Sequence, residues 1–379
     1  MKTKHLLILG FLSALQLPAK DAPQVDPAPP KNKVQIALLL DTSNSMDGLI
    51  DQARTQLWKV VNTFVDARRD GVAPFVEVAL YEYGNNALNA GNNYIRQVAP
   101  LTRDLDELSR ALFALKTNGG EEYCGAVIQR ALADVSWDPS EKTYKAIFIA
   151  GNEPFTQGPV DARQACKDAL GKRVVVNTIH CGTRNEGISG SWHDGAALAE
   201  GKFMVIDQDK AVAHIDAPQD KVISDLSHQL NKTYLGYGKT WAESAEKQTR
   251  ADSDAEAHSK AGAQVSRAVT KASSNYSNGS WDLVDAMREK KIDPAKIPAD
   301  ELPAEMRDLT PEARVAYIEK SAQQRVAIQT QIVELNKQRE AHVAAELKKQ
   351  AAPGSQTLDE ALIETTRAQA AALGYSFKK

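Results

Sequence analysis

Cysteine is scarce in this chain: Cys124, Cys166 and Cys181 are the only three in 379 residues. That is too few for a disulfide framework, and they lie too far apart for a zinc knuckle. Charge of one sign is also lacking, since 46 Lys and Arg stand against 49 Asp and Glu, interspersed rather than blocked, for a net charge of -3. Such a balance gives no electrostatic case for nucleic acid. Neither a P-loop nor a dinucleotide fingerprint occurs. Long hydrophobic runs are missing too. The apolar run from Leu6 to Leu17 is too short to span a bilayer, and nothing later is long enough.

What is present begins with MKTKHLLILGFLSALQLPAKDA, where Lys2 and Lys4 precede that apolar run and Ala19 follows it. This pattern predicts a secretory signal peptide over residues 1–19, and hence a periplasmic or secreted protein. The prolines of residues 20–33 predict an extended linker that no helix can enter. From Val34 an alternation begins. VQIALLL (34–40) reads as a strand covered on both faces, and the segment from Gly48 to Asp66 carries Ile50, Leu57, Val61, Phe64 and Val65 at helical spacing. The strand-like runs FVEVALYEY (75–83), YKAIFIA (144–150), RVVVNTIHCG (173–182) and FMVID (203–207) then alternate with helical ones. These are LDELSRALFAL (105–115), CGAVIQRALADV (124–135), PVDARQACKDAL (159–170), SWHDGAALAEG (191–201) and PQDKVISDLSHQL (218–230). The alternation predicts an α/β domain over residues 34–235 with a doubly wound, mainly parallel sheet. Ligands in such a sheet bind beyond the carboxyl ends of strands where the strand order reverses. The loops after Leu40, Ala150 and Cys181 are therefore the candidates. Cys124 and Cys181 fall on this rim and could pair in an exported chain, the alternative being three reduced, buried thiols.

Residues 236–309 differ in character. Beyond Tyr237 an Ala-rich, polar stretch without a continuous apolar stripe reads as an exposed helix or a poorly ordered segment, and Ser280 is placed to cap a short helix beginning WDLVDAM. Pro294, Pro298 and Pro303 break up the segment between that helix and residue 309. Thr310 and Pro311 open a long helix over 310–350, as N-cap and first helical residue. Val315, Ile318, Ala322, Ile332 and Val343 fall on one heptad register, and Arg325, Gln329, Asn336 and Arg339 occupy its remaining seam positions. So many polar seam residues disfavour a sustained coiled coil and favour a helical hairpin or a helix packed on the core. Residues 351–379 form a C-terminal tail.

The most informative stretch is LLLDTSNSMDG (38–48). Asp41, Ser43 and Ser45 stand at i, i+2 and i+4, where an extended segment aims alternate side chains the same way. One carboxylate and two hydroxyls converging suit a hard cation such as Mg²⁺, or Ca²⁺ or Mn²⁺. Alternatively, Ser45 or Asp47 caps the helix beginning near Gly48. Asp-x-Ser-x-Ser at the end of the first strand of a βα alternation resembles the metal-ion-dependent adhesion site of von Willebrand factor type A domains. The resemblance extends over residues 34 to about 232. It implies two further ligand loops. One is TNGGEEYCGAVIQRAL (117–132), where Glu122, or else Glu121, stands at the family's Thr position; the other is AGNEPF (150–155), where Asn152 and Glu153 stand at the family's Asp. The implied ligand set is Asp41, Ser43, Ser45, Glu122 and Glu153.

The resemblance implies a non-enzymatic module that captures a protein partner, through an acidic side chain completing the metal's coordination. With several acids near the ion, tight cation holding and weak capture of an acidic ligand are expected. A metal-stapled scaffold whose C-terminal helices bind the partner, and a metal-assisted hydrolase, are the competing readings. A cysteine hydrolase pairing Cys124 with His180 or His193 lacks an orienting acid.

Overall fold

The structure is a computed structural model that describes residues 32–48, 50, 58–59, 61–206, 215–258, 262–350 and 358–377. The signal peptide, nearly all of the linker and residues 49, 51–57 and 60 of the helix expected from Gly48 to Asp66 lie outside these residues.

Six strands form one sheet among the described residues: β1 (Lys33–Asp41), β2 (Phe75–Tyr83), β3 (Ile95–Thr102), β4 (Tyr144–Gly151), β5 (Val175–Cys181) and β6 (Phe203–Ile206), in the order β3-β2-β1-β4-β5-β6. All neighbours are parallel except β3, which runs antiparallel to β2 with register shifts near Leu80. The alternation in the sequence missed β3. It is an edge strand, so only one face and one side need satisfying; its polar residues and Pro100 are tolerated for that reason.

Helices α1 (Leu105–Phe113), α2 (Cys124–Asp134), α3 (Ala162–Gly171), α4 (Arg184–Ser189) and α5 (Trp192–Leu198) flank the sheet. Alternation along each strand builds two cores. Ile36, Val78 and Phe148 pack with Trp58, Phe64, Leu108 and Leu112 on one face, while Leu39, Tyr81 and Ile149 pack with Val127, Ala165 and Trp192 on the other. This is the doubly wound α/β architecture. The run 191–201 holds only the short helix α5, and α4 precedes it, closed by a capping box between Thr183 and Glu186.

Helix α6 (Asp220–Asn231) does not join either core. Its Ile223, Leu226 and Leu230 cluster with Val265 and Ala268 of α8 (Ala263–Lys271) and with Ile332 of α10 (Pro311–Gln350). The sheet face over β4–β6 is covered instead by α11 (Leu358–Ala372), whose Ala370 and the following Tyr375 belong to the sheet's own core. The tail thus returns to the α/β unit, and Ser376 bridges Arg68.

The polar stretch after Tyr237 forms α7 (Trp241–Ala257) and α8, and it is neither wholly exposed nor without structure. Arg267 of α8 is buried, donating to Asp106 Oδ1 at 2.7 Å and pairing with Asp252. Tyr276 donates to the other Asp106 oxygen at 2.6 Å. The cap of α9 (Leu283–Arg288) is Asp282 and not Ser280, since Asp282 accepts from Asp285 N. Along α10 the polar seam residues have partners. Arg325 clamps Asp282 at 2.7 Å and Thr233 O at 2.6 Å, Gln329 reaches Lys271 O, and Arg339 pairs with Asp220 at 2.6 Å. Thr310 caps this helix through Ala313 N.

Candidate metal centre

β1 and β4 are neighbours in the sheet although three connections separate them in sequence, so the chain leaves their carboxyl ends in opposite directions. The crevice there is the switch point. Asp41 ends β1 and Gly151 ends β4.

Asp41 is fully buried, and its Oδ1 accepts from Ser43 N at 2.8 Å. Ser43 precedes a 3₁₀ turn over Asn44–Met46 and makes no side-chain cap. Its hydroxyl lies 3.1 Å from that of Ser45, and Asn152 Nδ2 donates to Ser45 at 3.2 Å. The Asp47 carboxylate accepts from the Thr117 hydroxyl. Glu122, just before α2, is 5% exposed and abuts Asp41. The structure therefore brings together Asp41, Ser43, Ser45 and Glu122. Glu153 is exposed, and its backbone carbonyl accepts from Trp192 Nε1 at 2.8 Å; its charge is felt at both Asp41 and Glu122.

A fourth loop, Gly84–Asn86, was not singled out in the sequence. Gly84 has φ 78°, and a Cβ there would lie 2.7 Å from Glu122 Cγ and 2.8 Å from Asp41 Oδ1. Asn86 N donates to Gly119 O at 2.9 Å, Asn118 N to Thr42 O at 3.0 Å, and Asn85 Nδ2 to Lys116 O at 2.9 Å. The Gly-Asn-Asn after a strand marks a turn. That it would back the two acids depends on strand order, which local signals do not carry.

Burial, opposed by the hydrogen bonds from Ser43, pushes the Asp41 carboxyl up to about 6. Burial and then the charge of Asp41 push Glu122 up to about 9. Two acids that ionise together only at high cost form a well for positive charge. Asp41 Oδ2, Glu122 Oε2 and Asn152 Oδ1 are buried and meet no other hydrogen-bond partner; within the acid pair, Glu122 holds a proton and shares it with Asp41. Among the described residues no three His, Cys, Asp or Glu side chains are grouped to hold an ion. The donor set is thus two carboxylates with hydroxyl and carboxamide oxygens, which fits a hard divalent cation.

The three cysteines are free and buried. Cys181 packs in one core and Cys124 and Cys166 in the other, so the sheet itself separates Cys124 from Cys181 and the bond considered between them is not formed. Burial pushes the Cys124 thiol far up, and it sits 3.7 Å from the Tyr83 hydroxyl, an environment that suppresses the thiolate. His180 is buried, with neither ring nitrogen partnered.

No protein-family model matches the sequence, and no curated protein does. Similar solved structures include the conserved hypothetical protein BatB from Bacteroides thetaiotaomicron, at 16% identity and TM-score 0.35, covering 46% of this chain and 90% of that one. Another is the SpRpn10 VWA domain, at 16% identity and TM-score 0.35, covering 45% and 87%. A third is proximal thread matrix protein 1 from the mussel byssus with a zinc-occupied MIDAS motif, at 17% identity and TM-score 0.34, covering 47% and 43%. At such identities the likeness concerns fold alone.

Proposed function

We propose that this chain is an exported, non-catalytic interaction module of the von Willebrand type A kind. It binds a divalent cation, Mg²⁺ with Ca²⁺ or Mn²⁺ as substitutes, and a protein partner in the cell envelope. Asp41, Ser43, Ser45 and Glu122 hold the ion. The observation that carries this reading is the pair of adjoining buried carboxyls, Asp41 and Glu122, whose Oδ2 and Oε2 meet no partner outside the pair, at the switch point of the sheet. Without an ion the pair keeps a proton, because two buried carboxylates side by side repel, and a cation that displaces this proton lets both ionise. A bound cation would supply positive charge and an open position for an oxygen of the partner.

Calorimetric melting of the full chain with and without Mg²⁺ tests the reading. A saturable rise in Tm that chelator reverses and Asp41→Ala abolishes is expected, whereas an unchanged Tm would overturn it. Capture from envelope extracts with and without chelator then separates adhesion, which chelator prevents, from the scaffold, which keeps its partner. Ester or phosphate turnover lost in Asp41→Ala would favour a hydrolase.

A further inference from the structure

The loop after β4 offers two side chains, Asn152 and Glu153, and the structure separates them. Asn152 is half-buried, its Nδ2 donates to Ser45 Oγ at 3.2 Å, and its Oδ1 is buried without a donor. Glu153 is exposed, and its backbone is fixed by the Trp192 indole at 2.8 Å. Gly151 explains why the loop comes so close. A Cβ there would meet the Tyr83 hydroxyl at 2.5 Å and Asp41 Oδ2 at 3.2 Å, so only glycine lets this strand end beside Asp41.

We infer that Asn152, and not the neighbouring acid Glu153, supplies the third loop's oxygen to the cation, with its carboxamide oriented by Ser45. The inference rests on the cation reading above. Asp41 Oδ2, Glu122 Oε2 and Asn152 Oδ1, on three different loops, are buried with no partner beyond the proton shared by the two acids, and a cation held by the acids is the charge that the Asn152 oxygen would accept. Ser45 ties the first loop to the third. It lies within hydrogen-bond reach of both Ser43 Oγ and Asn152 Nδ2, so the amide nitrogen is committed and its oxygen is the free end. The ion then meets two ionisable side chains, Asp41 and Glu122, whose full charge equals its own. Glu153 stays outside as a rim charge that opposes an approaching acidic ligand.

The test is Mn²⁺ binding to the full chain, read by electron paramagnetic resonance, for wild type, Asn152→Ala, Asn152→Asp, Glu153→Gln and Asp41→Ala, with circular dichroism melts to follow the fold. Asn152→Ala should weaken Mn²⁺ by at least about tenfold, the lower end of what loss of even an outer-sphere partner costs. Glu153→Gln, which removes a rim charge and no ligand, should weaken it by much less than Asn152→Ala does, and Asn152→Asp should tighten it by adding charge at the same atom. If Asn152→Ala does not fold, Asn152→Asp decides, and no tightening overturns the inference. It is also overturned if Asn152→Ala folds and binds as wild type does, or if Glu153→Gln weakens binding more than Asn152→Ala does. In that case loss of binding in Asp41→Ala leaves the cation reading standing. Wild type that binds no Mn²⁺ overturns both.

Discussion

Two buried carboxyls side by side are costly to keep ionised, and this chain keeps such a pair at Asp41 and Glu122. Gly84 makes their approach possible. In Gly84→Ala the new methyl would press on both acids from a backbone at φ 78°. Strain of this kind costs about 1–3 kcal/mol, so a lower urea midpoint is expected together with a smaller Mg²⁺ effect. Lys271 lies at the same scale in the other half of the molecule. Burial first, and the charge of Arg267 next, push its amine down to about 8 from an ordinary 10.5, against the pull of Asp252. Below about pH 8 the amine is charged in both folded and unfolded chains, so its contribution is constant there. Between about 8 and 10.5 the unfolded chain holds more protons, and stability rises with pH across that window. Urea midpoints measured through it should rise in wild type and stay flatter in Lys271→Met.

At the scale of the element, α11 takes a seat on the sheet that the preceding helix in the alternation, α6, leaves open. The floor of that seat is polar. Tyr144 donates to Gln369 Oε1 at 2.7 Å, and Gln369 Nε2 donates to Asn177 Oδ1 at 2.8 Å. Replacing Gln369 by Leu removes the acceptor of the Tyr144 hydroxyl and the acceptor of Asn177 Nδ2, while Asn177 Oδ1 keeps Lys202 N at 2.9 Å. A loss of about 1–3 kcal/mol is expected in chemical denaturation. The long helix α10 is locked in a similar way by Arg325 on Asp282, Asp285 and Thr233, with its guanidinium 4.1 Å from the Tyr234 ring centre. Breaking a buried pair from one side costs about 3–5 kcal/mol, so Arg325→Met should be among the most destabilising substitutions in α10. The sequence placed Arg325, Gln329 and Arg339 on the seam correctly, but as polar exceptions. Their partners lie 43 to 119 residues away, beyond the reach of periodicity.

At the scale of the molecule, the helical region cannot be read as an appendage. Asp106 of α1 is satisfied by Arg267 and Tyr276, and Ala370 and Tyr375 fill the core under β4–β6. A fragment of residues 34–235 loses all of these at once. It should bind a hydrophobic dye and lack a sharp unfolding transition, whereas the full chain should unfold with core and extension together in one fluorescence transition. The same interlock means that partner capture is best mapped by point substitutions in the full chain.

The sequence by itself determined the repeating unit of the fold and the first loop of the candidate centre. Strand and helix periodicities are local, and Asp41, Ser43 and Ser45 lie within a single turn of chain. Local signals could not reveal β3, whose edge position lets a polar, proline-containing segment serve as a strand. Nor could they reveal that the alanine- and charge-rich stretch after Tyr237 buries Arg267 and Lys271, because a charge is stable inside only where a distant partner meets it. Tertiary structure alone decided that Gly84 backs the two acids, that Asn152 turns inward and Glu153 outward, and that the last helix closes the first domain. Each of these depends on which strands are neighbours, and strand order is settled by packing across the whole chain.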